Sequence, residues 1–327
     1  MTAALPCRLV GFGAALPRRR ETNDDLARTL DTSDEWIRTR TGIGARHVAT
    51  TESTTHLATT AARRALDDGG VDPSDLGLVV VATSTPDSAC PATAARVAHE
   101  LGSAAVAFDV SSACTGFVHA FTTAVAVLRT TVPPPHTGID APRHALVVGA
   151  DRYRTLTDPA DRSTFVLFGD GAGAVVIADD GSARSGAGIV GIDLGTDPDG
   201  LAALEVAPGE RWLRMDGPEV FRRAVRALVG SGRRALANAG CQGADVSRYV
   251  PHQANLRIIE AVATRLGIAE SRVEVDVVER ANTSAASIPL ALHAMVEADR
   301  VAPGDLVLLG AVGAGMGYGS LALRWGR

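Results

Sequence analysis

Cys114 lies in AVAFDVSSACTGFVHAF (Ala105–Phe121), where a β-branched apolar segment stops at Val110 and an apolar helical pattern begins at about Thr115. That order predicts strand, tight turn and helix, with one thiol at a helix N-terminus. Unpaired backbone N–H groups and the helix dipole there favour the thiolate, the form that attacks carbonyls. A lone intracellular Cys is more often a small buried hydrophobe, so its partners decide. One is His252, in RYVPHQANLRII (Arg248–Ile259). Pro251 ends a short β run and Asn255 is placed to cap the next helix, which sets His252 on a turn where side chains project into a site. The other is Asn282, in ERANTSAASIPLAL (Glu279–Leu292), although a turn Asn before a helix is ordinarily a cap. Cys, His and Asn form a known catalytic trio. A papain-like hydrolase uses the same residue types, so the trio alone names no reaction. The remaining histidines (47, 56, 99, 119, 136, 144 and 293) have no comparable setting and read as structural or solvated.

The elements that must position these groups follow from periodicity. Strands are predicted over Leu78–Ala82, Ala105–Val110, His144–Gly149, Ala172–Ala178, Arg248–Val250, Val273–Val278, Leu306–Leu309 and Ser320–Arg324. Helices are predicted over Ser53–Asp68, Ala92–Leu101, Gly116–Leu128, Pro218–Ala239, Asn255–Leu266 and Ser287–Glu297. The alternation argues for an α/β fold with a mainly parallel sheet. The two halves also rhyme. FDVSSACTGFVHAFTTAV, HALVVGA and GDGAGAVVIAD in the first correspond to VDVVERANTSAASIPLALHAM, LVLLGAV and GAGMGYGSLAL in the second. So long a period predicts a duplicated domain, not a solenoid. It sets Cys114 and Asn282 on corresponding turns, able to face each other across a pseudo-axis. Thr130–Arg143 (TTVPPPHTGIDAPR) is Pro-rich and reads as a surface loop. Gly181–Gly188 is a second loop that marks the end of the first half.

The chain has 327 residues, 46% hydrophobic and 21% charged, enough for a sizeable core. A net charge of -5, with no basic tract, argues against nucleic-acid or membrane-surface binding. The four cysteines (7, 90, 114 and 241) are too scattered for a zinc site or a disulfide framework. MTAALPCRLV lacks the charged start and apolar core of a signal peptide, and no run approaches the ~18 apolar residues of a spanning helix. These features lead us to expect a reduced, cytoplasmic enzyme with no metal.

Five motifs raise the trio to a specific resemblance. DTSDEWIRTRTGI (Asp31–Ile43), FDVSSACTGF (Phe108–Phe117), FGDGAGAVV (Phe168–Val176), VPHQANLRII (Val250–Ile259) and NTSAASIPLAL (Asn282–Leu292) run in order over nearly the whole chain. Together they resemble the β-ketoacyl-acyl carrier protein synthase III family, thiolase-fold condensing enzymes. The resemblance implies an α/β, thiolase-like fold: two duplicated halves, 1–180 carrying the Cys and 181–327 carrying His and Asn, in five α-β-α-β-α layers. It implies that Cys114 takes an acyl group from acyl-CoA, a substrate, with no separate cofactor. His252 and Asn282 then bind the thioester oxygen of malonyl-acyl carrier protein. Decarboxylation makes that oxygen an enolate, and each preplaced donor is worth roughly 3–4 kcal/mol by analogy with other oxyanion holes. His252 is expected to be neutral.

A second oxyanion hole, for attack on the acyl-Cys, is expected from the Cys114 N–H and the turn VGAGMGYG (Val312–Gly319), near Ala314. A strand follows this turn where a dinucleotide loop needs a helix, and FGDGAGAVV lacks the Gly-Lys-Ser/Thr of a phosphate loop, so neither reads as a nucleotide site. The glycines of FGDGAGAVV read as structural, for close backbone packing. Trp36, Arg40, Arg162, Arg257 and Asn255 match the family's coenzyme A positions, a flat ring for adenine and forks for phosphates. Gln253, Ala254, Asn255, Leu256 and Arg257 match its carrier-protein contact, where a basic residue suits an acidic partner. A homodimer is implied.

Three positions depart from the pattern. Cys90 stands where Phe or Thr is common and, in the family, reaches across the dimer to the neighbour's acyl pocket. Val312 stands where Phe is usual. Both remove bulk from the pocket, so acyl groups larger or more branched than acetyl are expected. Ala281 replaces a Gly before Asn282, at a place where Gly tolerates dihedrals that Ala does not. Competing readings are acyl transfer to an O or N acceptor, a non-catalytic partner subunit and the papain-like hydrolase. Retention of Asn282 favours condensation over simple acyl transfer. The complete trio speaks against an inactive subunit, and a hydrolase of that kind needs its nucleophile near the chain start.

Overall fold

A computed structural model describes residues 5–130, 143–179 and 186–327. His136, most of the Pro-rich loop and most of the second loop lie outside the described residues. The first half runs β1 (Leu5–Pro6), β2 (Arg8–Ala15), β3 (Arg19–Thr22), α1 (Asn23–Leu26), α2 (Asp34–Thr41), β4 (Ala45–Val48), α3 (Thr54–Gly69), β5 (Leu76–Ala82), α4 (Thr93–Leu101), β6 (Val106–Val110), α5 (Gly116–Thr130), β7 (Arg143–Arg152) and β8 (Asp170–Asp179). The second runs β9 (Gly188–Thr196), β10 (Leu204–Glu205), β11 (Arg214–Met215), α6 (Gly217–Asn238), β12 (Arg248–Pro251), α7 (Leu256–Leu266), α8 (Val277–Arg280), α9 (Ser287–Glu297), β13 (Leu306–Val312) and β14 (Gly317–Arg324).

Two five-stranded sheets result, in the orders β2-β8-β7-β5-β6 and β1-β9-β14-β13-β12. The rhyme between the halves is topological. β5 pairs parallel with β7 as β12 does with β13, and each of β7 and β13 is followed by an antiparallel partner, β8 or β14. β2 then closes on β8 as β9 does on β14. Helices α3 and α4 cover one outer face, α6 and α7 the other, and α5 and α9 lie between the sheets. The layers are therefore α-β-α-β-α. The largest apolar cluster occupies the middle, joining Phe117 and Phe121 of α5 and Leu292 and Met295 of α9 to both sheets.

Most predicted elements form within a few residues of their expected ends. Thr54–Gly69 starts where the Ser53 hydroxyl accepts from the His56 N–H at 3.1 Å and stops at Gly70 in the left-handed region. FGDGAGAVV leads into strand β8, buried except at its last residue Asp179 and packed against α9. Seven strands among the described residues were not predicted, the short β1, β3, β4, β10 and β11 and the two long glycine-containing strands β2 and β9. A Cβ on Gly11 would lie 2.0 Å from the Ala65 carbonyl of α3, and one on Gly191 would lie 2.0 Å from the Ala235 carbonyl of α6. The glycines mark helix-on-sheet contact at equivalent places in both halves.

One expected strand, Val273–Val278, does not form. It occupies the place that β6 takes in the first sheet, yet only an isolated bridge between Tyr249 and Val273 survives before α8. The cause lies in a side chain. Gln253 Oε1 accepts from the Asp276 N–H at 2.7 Å and the Val277 N–H at 3.0 Å, which turns the chain out of extended geometry.

Candidate active site

Cys114, His252 and Asn282 line one cavity of about 860 Å³, which also takes in Trp36, Arg40, Asn255, Arg257 and Val312. Each reactive group stands at the end of a different element. Cys114 lies in a single 3-10 turn between β6 and α5. His252 follows β12, its N–H donating to the Gly310 carbonyl of β13 at 2.7 Å. Asn282 follows α8. Its N–H donates to the Leu167 carbonyl and its carbonyl accepts from the Gly169 N–H, both at 3.0 Å, so it is stitched to the segment before β8. The turns of Cys114 and Asn282 correspond as expected but are offset. In backbone conformation Ala113 (φ 44°) matches Ser284 (φ 52°), so Cys114 matches Ala285.

Side-chain bonds leave the two donors free to face the cavity. Asn282 Oδ1 accepts from the Ser284 N–H at 2.9 Å, so the Nδ2 group remains for a ligand. His252 Nδ1 lies 2.7 Å from Ser287 Oγ, which already accepts from the Gln253 N–H at 3.4 Å. We assign the Ser287 hydroxyl as the donor to Nδ1 and the ring proton to Nε2, facing the cavity. Burial pulls the His252 pKa down to about 3, which keeps the ring neutral as expected. Ser287 was not picked out by sequence reasoning, since it lies 35 residues from its partner.

The expected thiolate is corrected. Cys114 does sit before a helix, but it is only 5% exposed, and burial pushes its pKa up to about 12 against an opposing contact with Ser284, with a smaller upward contribution from the negative charge of Asp151. The resting group is a thiol. Neither the Cys114 N–H nor the Ala314 N–H has a hydrogen-bond partner among the described residues. Gly313 packs so closely that a Cβ there would lie 2.8 Å from the Cys114 nitrogen. Of the five non-glycine residues at positive φ among the described residues, Ala113, Ala281, Ser284 and Met316 surround this site; Asp299 is elsewhere. Ala281 (φ 57°, ψ -160°) occupies a region suited to Gly.

At the mouth, the Arg40 guanidinium lies 4.5 Å and that of Arg162 5.1 Å from the Trp36 ring. Asn255 caps α7 by accepting from the Arg257 N–H at 2.9 Å, and its Nδ2 donates to the Arg40 carbonyl at 3.0 Å, tying α7 to α2. Arg162 does not line the cavity and pairs with Asp31 at 3.2 Å. Within the expected carrier-protein segment Arg257 is exposed, while Ala254, Asn255 and Leu256 are half-buried. Gln253 is corrected: it is 1% exposed and its amide is spent on Pro251, Glu274, Asp276 and Val277, so it braces the fold. Cys90 is exposed beside a cis peptide to Pro91 and does not line the cavity of its own chain, a placement consistent with a residue that reaches toward a neighbouring subunit. Val312 does line it, with Val166, Phe168, Leu204, Met215, Phe221 and Met316, apolar residues from several segments that no local pattern groups together.

The comparisons with known proteins agree with one another. The family described as 3-oxoacyl-[acyl-carrier-protein (ACP)] synthase III matches residues 108–198, and its C-terminal counterpart matches residues 236–325. A β-ketoacyl-[acyl-carrier-protein] synthase III of Rhizorhabdus wittichii is 46% identical, over 97% of this chain and 98% of its own. The 3-oxoacyl-[acyl-carrier-protein] synthase III of Aquifex aeolicus superposes with a TM-score of 0.92 at 39% identity, over 98% of this chain and 100% of its own. The priming β-ketosynthase of the R1128 polyketide pathway gives 0.88 at 39% identity, over 98% of this chain and 96% of its own.

Proposed function

Since this chain belongs to the β-ketoacyl-[acyl-carrier-protein] synthase III family of condensing acyltransferases that start fatty acid or polyketide chains, we propose that Cys114, His252 and Asn282 carry its reaction. The Cys114 sulfur attacks the thioester carbon of an acyl-CoA. The unpartnered N–H groups of Cys114 and Ala314 receive the oxyanion, and the coenzyme A thiolate leaves. Malonyl-acyl carrier protein then places its thioester oxygen between His252 Nε2–H and Asn282 Nδ2–H. Loss of carbon dioxide leaves an enolate held by two neutral donors. Its carbon attacks the acyl-Cys, and the Cys114 sulfur leaves with the electron pair.

The observation that carries this reading is the state of the two donors. Asn282 Oδ1 and His252 Nδ1 are both occupied inside the protein, so only N–H groups remain for a ligand. An Asp in place of Asn282 would repel the enolate. Trp36, Arg40 and Arg257 receive coenzyme A at the mouth, and Arg257 offers a positive charge to an acidic carrier. Val312 leaves room for acyl groups larger than acetyl. The protein works in the cytoplasm as a homodimer, a state supported by the open edge of β6, whose Val106 is 57% exposed.

The test incubates the protein with a panel of acyl-CoAs, with and without malonyl-carrier protein, and reads adduct and product by intact-protein mass. Cys114→Ala should form no adduct. Asn282→Ala should keep the adduct and lose condensation by about 10²–10³-fold. Normal condensation by Asn282→Ala, or ester or amide products in place of a β-ketoacyl carrier, would sink the reading. A strict acetyl preference would sink the pocket argument alone.

A further inference from the structure

Asp151, near the end of β7, is completely buried. Its Oδ1 accepts from the Ser84 N–H at 2.8 Å and from the Thr83 and Thr85 hydroxyls at 3.2 and 3.0 Å, and Oδ2 accepts from the Ala285 N–H at 3.1 Å. No cation pairs with it among the described residues. A carboxylate buried among dipoles alone is costly, and neither oxyanion hole uses it. It lies on the seam between the halves. Loop 83–85 and β7 belong to the first, and Ala285 to the turn of the second. That turn is pressed onto β7, since a Cβ on Gly149 would lie 2.1 Å from the Ala285 carbonyl.

The residue before Ala285 is Ser284, also fully buried and held at φ 52°. Its hydroxyl adjoins the Cys114 thiol, the Asp151 carboxylate and the Tyr153 phenol, yet it closes no well-formed hydrogen bond to any of them. His252 offers the thiol no base, because its ring resists protonation and its Nδ1 is already taken by Ser287.

We propose that Ser284 and Asp151 form the proton relay of Cys114, with Ser284 in contact with the reacting sulfur and Asp151 acting through it as the positioning and proton-storing residue. The step rests on the acyl-transfer reading above. As the sulfur bonds the acyl carbon, its S–H bond breaks. Ser284 Oγ takes that proton and passes its own to Asp151, which becomes a carboxylic acid. The departing coenzyme A thiolate takes a proton from water. When condensation later expels the Cys114 sulfur, Asp151 returns the stored proton through Ser284 and the thiol is restored. Four donors hold Asp151 as a carboxylate at rest, and burial raises its affinity for a proton, so it can take one up and later return it.

The test measures the rate of acyl-Cys114 formation by rapid quench and intact-protein mass between pH 6.5 and 9, for the wild type, Ser284→Ala and Asp151→Asn. The wild-type rate should change little with pH. Ser284→Ala should be about 100-fold slower at pH 7 and regain about tenfold per pH unit, because the thiol must then ionise unaided. Asp151→Asn should match it; if that variant fails to fold, Ser284→Ala, which removes one oxygen at an unchanged backbone, decides. A Ser284→Ala rate equal to the wild type, or slower by one constant factor at every pH, overturns the relay. A wild type that forms no adduct at all overturns the acyl-transfer reading instead.

Discussion

Strain and burial at single residues fall where the chemistry is proposed. Ala281 holds a backbone conformation that costs about 1–3 kcal/mol for a residue with a Cβ, and Asn282 follows it directly. Ala281→Gly should therefore raise the urea midpoint by an amount equal to about 1 kcal/mol, after the entropy Gly regains on unfolding is subtracted. A lower midpoint would show that the Ala281 methyl group contributes packing greater than the strain. His252 gives a pH prediction. Its folded pKa of about 3 lies below the unfolded value of 6.5, so between the two the unfolded chain binds more protons. Stability is then present above pH 6.5 and lost as pH falls, by about 1.4 kcal/mol per pH unit for this group. His252→Gln should flatten the slope of stability against pH over pH 4–6; an unchanged slope would place the linkage elsewhere.

At the scale of elements, the mouth of the cavity depends on a buried ion cluster. Arg154 Nη2 pairs with Glu21 Oε2 at 2.9 Å, and the fully buried Arg46 donates to Asn23 Oδ1 and the Val166 carbonyl, both at 2.9 Å. These bonds join β3 and β4 to the segment before β8. The apolar cluster of Leu26, Ile37, Ile43, Val166 and Ile259 then seats α2, and with it Trp36 and Arg40. Glu21→Ala removes the carboxylate that pairs with the buried Arg154 guanidinium and should cost about 3–5 kcal/mol in chemical denaturation. In the fraction that stays folded, acyl-CoA binding should weaken more than condensation by enzyme already acylated. Equal losses in both would mean that the cluster supports the whole site and not the mouth alone.

For the whole molecule, duplication explains why the reactive groups meet. Each half supplies a sheet and one middle helix, and the N-termini of α5 and α9 bring the Cys114 and Asn282 turns together between the sheets. The same architecture leaves β6 at a sheet edge with one backbone side unpaired, while its counterpart in the second half is reduced to a bridge. An open apolar edge of this kind invites a second copy. Val106→Asp should raise the concentration needed for dimerisation at least tenfold in analytical ultracentrifugation, and a wild type that sediments as a monomer would remove the homodimer from the proposal.

The sequence by itself determined what is local. Strand-turn-helix order around Cys114, the cap at Asn255 and the alternation of both halves all follow from contacts within a few residues. The five motifs carried the family because their residues stand in fixed order. Only the tertiary structure decided what depends on distant neighbours. Burial overrode the helix end at Cys114 and returned it to a thiol. The Gln253 amide dissolved a strand its own residues favoured, and glycines of β2 and β9 proved to be the places where helices touch strands. Asp151, Ser284 and Ser287 gave no signal in the chain, since a side chain becomes a partner only when folding removes the water and brings the other group within reach.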